Sequence, residues 1–213
     1  MPDTTPKQRR CDPFFGHTAR FGGLIRDVES DRDLVLGLRE HKPSAFNQVY
    51  AKYGDHVWRF LARLAGAGAE DLFQETWLAA ARHAHRLRED TRLLPWLYTI
   101  ARNKQRNSLR AWARNARCGH ELRAQDPARS PPLDDEVHAL RQAERVWAAF
   151  DGLPTAHREV LCLCAVEGLA TADAAHALAC SEDAVRKRLS RARHELARLC
   201  GRKVHGPCTG GEE

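Results

Sequence analysis

Asp183, Arg186, Lys187, Ser190, Arg191 and His194 follow one another three and four residues apart near the end of the chain, so on a helix they share one side. Guanidinium, ammonium and hydroxyl groups in that pattern can hold phosphates and read base edges. On a neighbouring side, Val185, Leu189, Ala192, Leu196 and Leu199 keep the same rhythm as an apolar stripe. Such a helix docks on its own domain with one side and offers a cationic side to a groove. Ahead of it run His157-Arg-Glu-Val-Leu, then Glu167-Gly-Leu, then the alanines at 172, 174, 175, 177 and 179. These predict a helix, a turn at Gly168, a short helix and a turn capped by Ser181, the order of a helix-turn-helix.

A second basic run lies upstream. Between Arg102 and Arg117 there are six basic residues and no acid; between Arg186 and Lys203 there are eight Lys or Arg and one acid, Glu195. With a formal net charge of +6, two such helices suggest two contacts with one polyanion. The alternative is two solvated faces. No nucleophile–base pair, phosphate loop, nucleotide fingerprint or closed metal site appears, which argues against an enzyme.

The elements that must position these groups are helical. A chain of 213 residues with 43% hydrophobic content allows one or two domains with real cores. Residues 1–30 lack a clear period and are expected to be mostly unstructured. Residues 31–117 read as a helical domain. Its first helix begins near Asp33, a second starts at Pro43, a third runs from Ala69 to Leu87, and a fourth opens at Pro95 after a polar loop at about 85–94. Residues 118–134 carry Gly119, Asp126-Pro127 and Ser130-Pro-Pro and read as a flexible linker. Residues 135–200 form the second helical unit, and 201–213 a flexible tail. No alternating strand pattern occurs. The predicted fold is all-α: two small helical domains joined by a flexible linker, the C-terminal one a helix-turn-helix. No apolar leader or spanning segment is seen, so a cytoplasmic setting without disulfides or membrane insertion is expected.

Four blocks, taken in order, carry a resemblance: Ala45-Phe-Asn-Gln-Val-Tyr-Ala-Lys-Tyr, Glu70-Asp-Leu-Phe-Gln-Glu-Thr-Trp-Leu-Ala-Ala, Pro95-Trp-Leu-Tyr-Thr-Ile-Ala-Arg-Asn, and Leu153-Pro-Thr-Ala-His-Arg-Glu-Val-Leu through Arg186-Lys-Arg-Leu-Ser-Arg-Ala-Arg. The chain resembles a bacterial sigma factor of the extracytoplasmic-function (ECF) type, in the sigma-70 family, over about 45–117 and 140–200. The resemblance implies a factor that binds core RNA polymerase, recognises a two-part promoter, promotes strand opening and serves a stress- or signal-responsive regulon. It implies that Asp71, Gln74 and Glu75, which share a helix face, grip the polymerase; by themselves they could equally be a solvated helix start. It places Arg102, Asn103, Arg106 and Arg110 at the proximal promoter element, with the 85–94 loop capturing a flipped base. It places Ser181, Arg186, Lys187, Ser190 and Arg191 at the distal element. Trp96 could stack on a base or belong to the core; Trp112 is similar. Members of this class are usually held by an anti-sigma partner. No small-molecule substrate is implied. A stand-alone helix-turn-helix regulator with an N-terminal helical sensor or dimer module is the competing reading.

The chain departs from the family pattern at Asn107, where an acid is frequent, and at Thr171, Ala174 and Ala184. The alanine-rich helix buries less area, so a less stable second domain is expected. Of seven cysteines, Cys162 and Cys180 read as small buried hydrophobes. Cys118, His120, Cys200, His205 and Cys208 cluster in the linker and tail. Some relatives sense metal with Cys in these places, and this set could supply soft ligands for Zn or Cu, or be incidental. No cofactor is otherwise expected.

Overall fold

The computed structural model describes residues 28–117 and 145–201, and side-chain surroundings within 31–114 and 145–201. All elements among the described residues are helical. Helix α1 (Val28–Arg39) begins about five residues before the start read from Asp33. Asp31 explains why: its carboxylate accepts from Tyr53 Oη at 2.6 Å and Lys52 Nζ at 3.1 Å, and from the Leu93 amide at 3.4 Å. A polar residue thus ties the start of α1 to two later helices, a contact no local pattern announces.

Helix α2 (Pro43–Ala65) starts at its proline, whose missing N–H costs nothing in a first turn. It buries Val49, Tyr53, Val57, Phe60, Leu61 and Leu64 at helical spacing. Gly66, at φ +53°, ends it in a conformation that suits glycine. Helix α3 (Ala69–His83) follows, shorter than the sequence reading because Ala84–Arg86 tightens into a 3-10 turn. Helix α4 (Leu93–Arg117) starts two residues before Pro95, which sits comfortably among the unpaired amides of the first turn. The Phe60 and Tyr98 rings meet at 5.0 Å, joining α2 to α4 at the centre of this half.

The second half opens on a helix whose described part is 145–151 (α5). Helix α6 (Thr155–Leu161) runs into a π turn, Cys162–Val166, where the Glu167 amide reaches back to the Cys162 carbonyl at 2.8 Å. Gly168 at φ +70° then reverses the chain. Helix α7 (Thr171–Leu178) ends on Ala179 in the left-handed region, and α8 (Glu182–Leu199) begins from Ser181, whose hydroxyl accepts the Ala184 amide at 3.2 Å.

The halves are packed together rather than held apart. One apolar core runs through both, from Val35 and Phe60 to Leu163 and Val185. Helix α7 lies between α4 and α8, and its Ala174 and Ala177 are fully buried. Small side chains let it pack closely on both neighbours. The alanine content thus accompanies a helix packed against neighbours on two sides. No described helix is long and apolar enough to cross a membrane.

Candidate nucleic-acid interface

Helix α8 separates its sides as its sequence indicates. Val185, Leu189 and Ala192 are buried, while Arg186, Lys187, Ser190, Arg191 and His194 are exposed. Leu199 stays 42% exposed, so the stripe frays at its end. Ser190, Arg191, His194 and Arg198 line a shallow concavity with Glu195. Arg186 donates to Asp183 at 2.7 Å and Glu182 at 3.1 Å, and the Asp183 hydrogen bond chiefly holds its guanidinium in the charged form. To read a base it must exchange those acids for the groove.

The four candidates on α4 divide. Asn103 and Arg110 are exposed. Arg102 and Arg106 are not free: Arg102 Nε donates to Glu159 Oε2 at 3.1 Å, and Arg106 clasps the same carboxylate through Nε at 2.7 Å and Nη2 at 2.8 Å. Glu159 is on α6 and its side chain is fully buried. Trp96 is half-buried against the core, whereas Trp112 is 57% exposed and Leu109 is 38% exposed.

Two further carboxylates cross the same seam. Glu167, 1% exposed, receives Arg63 Nη1 at 2.8 Å, Arg59 Nη2 at 3.4 Å and the Tyr98 hydroxyl at 3.1 Å, with His56 Nδ1 at 3.0 Å. Burial pushes its carboxyl up, but His56, Arg59 and Arg63 outweigh burial and hold it below its ordinary value. Asp173 on α7 pairs with Arg92 in the loop before α4. There burial wins, and the carboxyl is raised. The Arg63 guanidinium also lies 5.9 Å from the Trp147 ring centroid, a cation–π contact from α2 to α5. Glu159, Glu167 and Asp173 were not assigned a role from sequence. A signal existed: Glu159 stands at i+3 and i+4 from the buried Cys162 and Leu163, an acid on a core face.

Asp71, Gln74 and Glu75 are exposed together on α3. Glu75 accepts from Lys104 of α4 at 3.0 Å. Behind this face lies an aromatic bed: Trp77 meets Phe46 at 5.7 Å and Tyr50 at 4.9 Å, and Phe73 meets Trp58 at 5.5 Å. The bed fixes the backbone that presents the acids.

Cys162 is fully buried and its thiol is pushed up to about 12 by burial, while Cys180 is half-buried. Cys200 is half-buried and free; Cys118, His120, His205 and Cys208 lie outside the described residues.

A basic reading helix in a helix-turn-helix, beside a four-helix domain with its own basic helix, matches known proteins over both halves. The model for sigma-70 region 2 matches residues 49–115, and that for sigma-70 region 4 matches residues 143–196. RNA polymerase sigma factor CarQ of Myxococcus xanthus is 34% identical over 165 residues, covering 76% of this chain and 93% of that one. This chain belongs to the sigma-70 family of RNA polymerase sigma factors. ECF RNA polymerase sigma factor SigM of Mycobacterium tuberculosis is 30% identical to this sigma factor over 184 residues, 85% of this chain and 89% of the relative, which puts it in the ECF group. Among solved structures, CnrH in complex with the cytosolic domain of CnrY aligns with the sigma factor at a TM-score of 0.62 and 26% identity, covering 81% of this chain and 97% of that one. RpoE of Bartonella quintana, in complex with the anti-sigma factor NepR, aligns at 0.60 and 26% identity, covering 73% and 96%.

Proposed function

We propose that this sigma factor binds core RNA polymerase through the α3 face of Asp71, Gln74 and Glu75. It reads a distal promoter element with α8 and opens DNA at a proximal element with α4, starting transcription of a stress- or signal-responsive regulon. The observation that carries the reading is the pairing of two separate basic helices, α4 and α8, with the exposed Asp71, Gln74 and Glu75 face of α3. A stand-alone regulator needs only α8. In this division of labour Arg186, Lys187, Ser190 and Arg191 recognise the distal element, with Ser181 as the cap that orients the helix. Asn103 and Arg110 meet the proximal element first, and Arg102 and Arg106 join them.

Opening a base pair and extruding a base costs a few kcal/mol. Binding energy gathered at both elements supplies it, because one chain spanning two sites makes the second contact intramolecular. The sigma factor brings no catalytic chemistry of its own and needs no bound cofactor; it works in the cytoplasm, beside the polymerase. The solved relatives in complex with CnrY and with the anti-sigma factor NepR support an anti-sigma partner of the same kind.

Run-off transcription with purified core polymerase on fragmented genomic DNA tests the proposal. The expected result is initiation at a small set of start sites that share two spaced elements. Duplex binding without initiation at any fragment would sink it in favour of a stand-alone regulator.

A further inference from the structure

We propose that the C-terminal half of α8 carries a backbone-phosphate subsite, formed by Arg191, His194 and Arg198 around Ser190 and governed by the Glu195–His157 pair, so that mild acid tightens its hold on duplex DNA. The inference rests on the distal-element reading proposed above for α8. Lys187, Arg191, His194 and Arg198 are spaced four, three and four residues apart, so the basic side of α8 continues past the residues assigned to the distal element. From Lys187 to Arg198 it runs about 16 Å along the helix. A recognition helix meets base edges with its N-terminal residues. Its later turns therefore pass a backbone strand, where the ligand is a phosphate. A shallow concavity lies at that point, lined by Ser190, Arg191, His194, Glu195 and Arg198. Ser190 and the three basic residues are exposed.

Glu195 is the acid of this concavity, and its charge opposes a phosphate. Two side chains hold it: His157 Nδ1 of α6 lies 3.0 Å from Oε2, and Arg198 Nη2 lies 3.9 Å from Oε1. Imidazole is the side chain whose charge changes between about pH 5 and 8. A neutral His157 leaves Glu195 its full charge, which competes with phosphate for Arg198. A protonated His157 compensates Glu195 from the α6 side and releases Arg198, which is 71% exposed and free to turn outward. A protonated His194 adds a cation directly to the subsite. Both imidazoles gain positive charge as pH falls, so both strengthen phosphate binding in the same direction. The other charged groups around α8 face elsewhere. On α6, Arg158 lies by Cys162, and Glu159 is held by Arg102 and Arg106. On α7, Asp173 is faced by Arg92 and His176. Arg193 lies on the other flank of α8, by Cys164. Beyond Arg198, the exposed Asp151 precedes the Gly152 that approaches Leu199.

The test uses the full chain and a random-sequence duplex without polymerase, with binding followed by fluorescence anisotropy against salt at about pH 8 and about pH 6. The slope of log affinity against log salt should steepen by about one unit at the lower pH, the mark of one further phosphate contact. His194→Gln should lose that increment, and His194→Lys should show it at both pH values. His194 is exposed, so these variants keep the fold. Glu195→Gln should tighten binding severalfold at the higher pH, whereas a pair that only supports the fold would leave affinity unchanged or weaken it. Lys187→Ala is the control for the rest of α8 and should flatten the slope by about one unit at both pH values. No effect of Lys187→Ala would remove the α8 reading and the subsite together. A normal Lys187→Ala loss beside an undiminished acid increment in His194→Gln would leave the reading standing and overturn the subsite alone. Unchanged or weaker binding by Glu195→Gln, with its helical circular dichroism intact, would overturn it as well.

Discussion

Glu159 and Arg106 form a two-point clasp across the two halves of the chain, Oε1 accepting from Nε at 2.7 Å and Oε2 from Nη2 at 2.8 Å. Such bidentate geometry fixes orientation as well as distance. It sets α6 against α4 in one register, and Glu167 and Asp173 add further ion pairs between the halves at Arg63 and Arg92. The position of the second half on the first is therefore written in charged groups surrounding an apolar core.

Glu167→Ala removes the acceptor shared by Arg63, Arg59 and Tyr98. Losing one side of a buried pair costs about 3–5 kcal/mol where the partner stays buried. Arg59 and Arg63 can regain water by opening, so the loss should fall below that range. Calorimetry should show one unfolding transition for the unmodified chain and two for the variant, the second half melting first.

Acidification separates two carboxylates of opposite sign. Glu167, faced by His56, Arg59, Arg63 and Tyr98, is lowered from 4.5 and therefore favours closure above that value, a contribution lost as pH falls through its lowered value. Asp173 is raised from 3.8, so closure favours its protonated form, and this contribution fades as pH rises through the raised value. The two oppose each other on mild acidification. X-ray scattering should find the chain compact between pH 7 and 5 and expanding only below about 4.5, the ordinary carboxyl range. Expansion already at pH 6 would contradict this.

Gly37 sits where α1 crosses α2, and a Cβ there would lie 2.6 Å from the Ala45 Cβ. Alanine is worth up to about 1 kcal/mol more than glycine in a helix. The clash should reverse that sign, because one helix must shift, at about 1–3 kcal/mol. Urea unfolding of Gly37→Ala should therefore show a net loss of stability.

Ser181→Ala deletes the α8 cap and should cost about 1 kcal/mol of stability, readable in thermal unfolding. Arg186→Ala should leave the helix intact. If Arg186 reads a guanine, its loss costs about 1–3 kcal/mol on the cognate distal element and relaxes preference at one base pair. Equal loss on all sequences would mark a phosphate contact instead.

Replacing Asp71, Gln74 and Glu75 together by alanine should abolish capture by core polymerase in a pull-down. Duplex binding through α8 should be unchanged, because the residues are exposed on α3 in the other half of the chain. Loss of both activities would mean that the face supports the fold.

Helical class, the Pro43 start, the Gly168 turn, the Ser181 cap and the two sides of α8 were legible because each is local: periodicity, a φ preference or a cap within a few residues. The exposed acids of α3 were legible for the same reason. Helix boundaries near Asp31 and Pro95 shifted because distant partners, Tyr53, Lys52 and the Leu93 amide, act on them. The division of the α4 candidates was not legible, since Arg102 and Arg110 look equally available in the sequence and only their positions against α6 separate them.

The sequence by itself determined a helical chain with two basic helices, because such faces depend on spacing along single helices, and its four blocks carried the resemblance to the sigma-70 family. Tertiary structure alone decided which cations are open to solvent. Glu159 stands 53 residues from Arg106, and Glu167 stands 104 from Arg63. No periodicity spans such separations. Burial brings these charges together, Glu159 with Arg102 and Arg106, and Glu167 with Arg59 and Arg63.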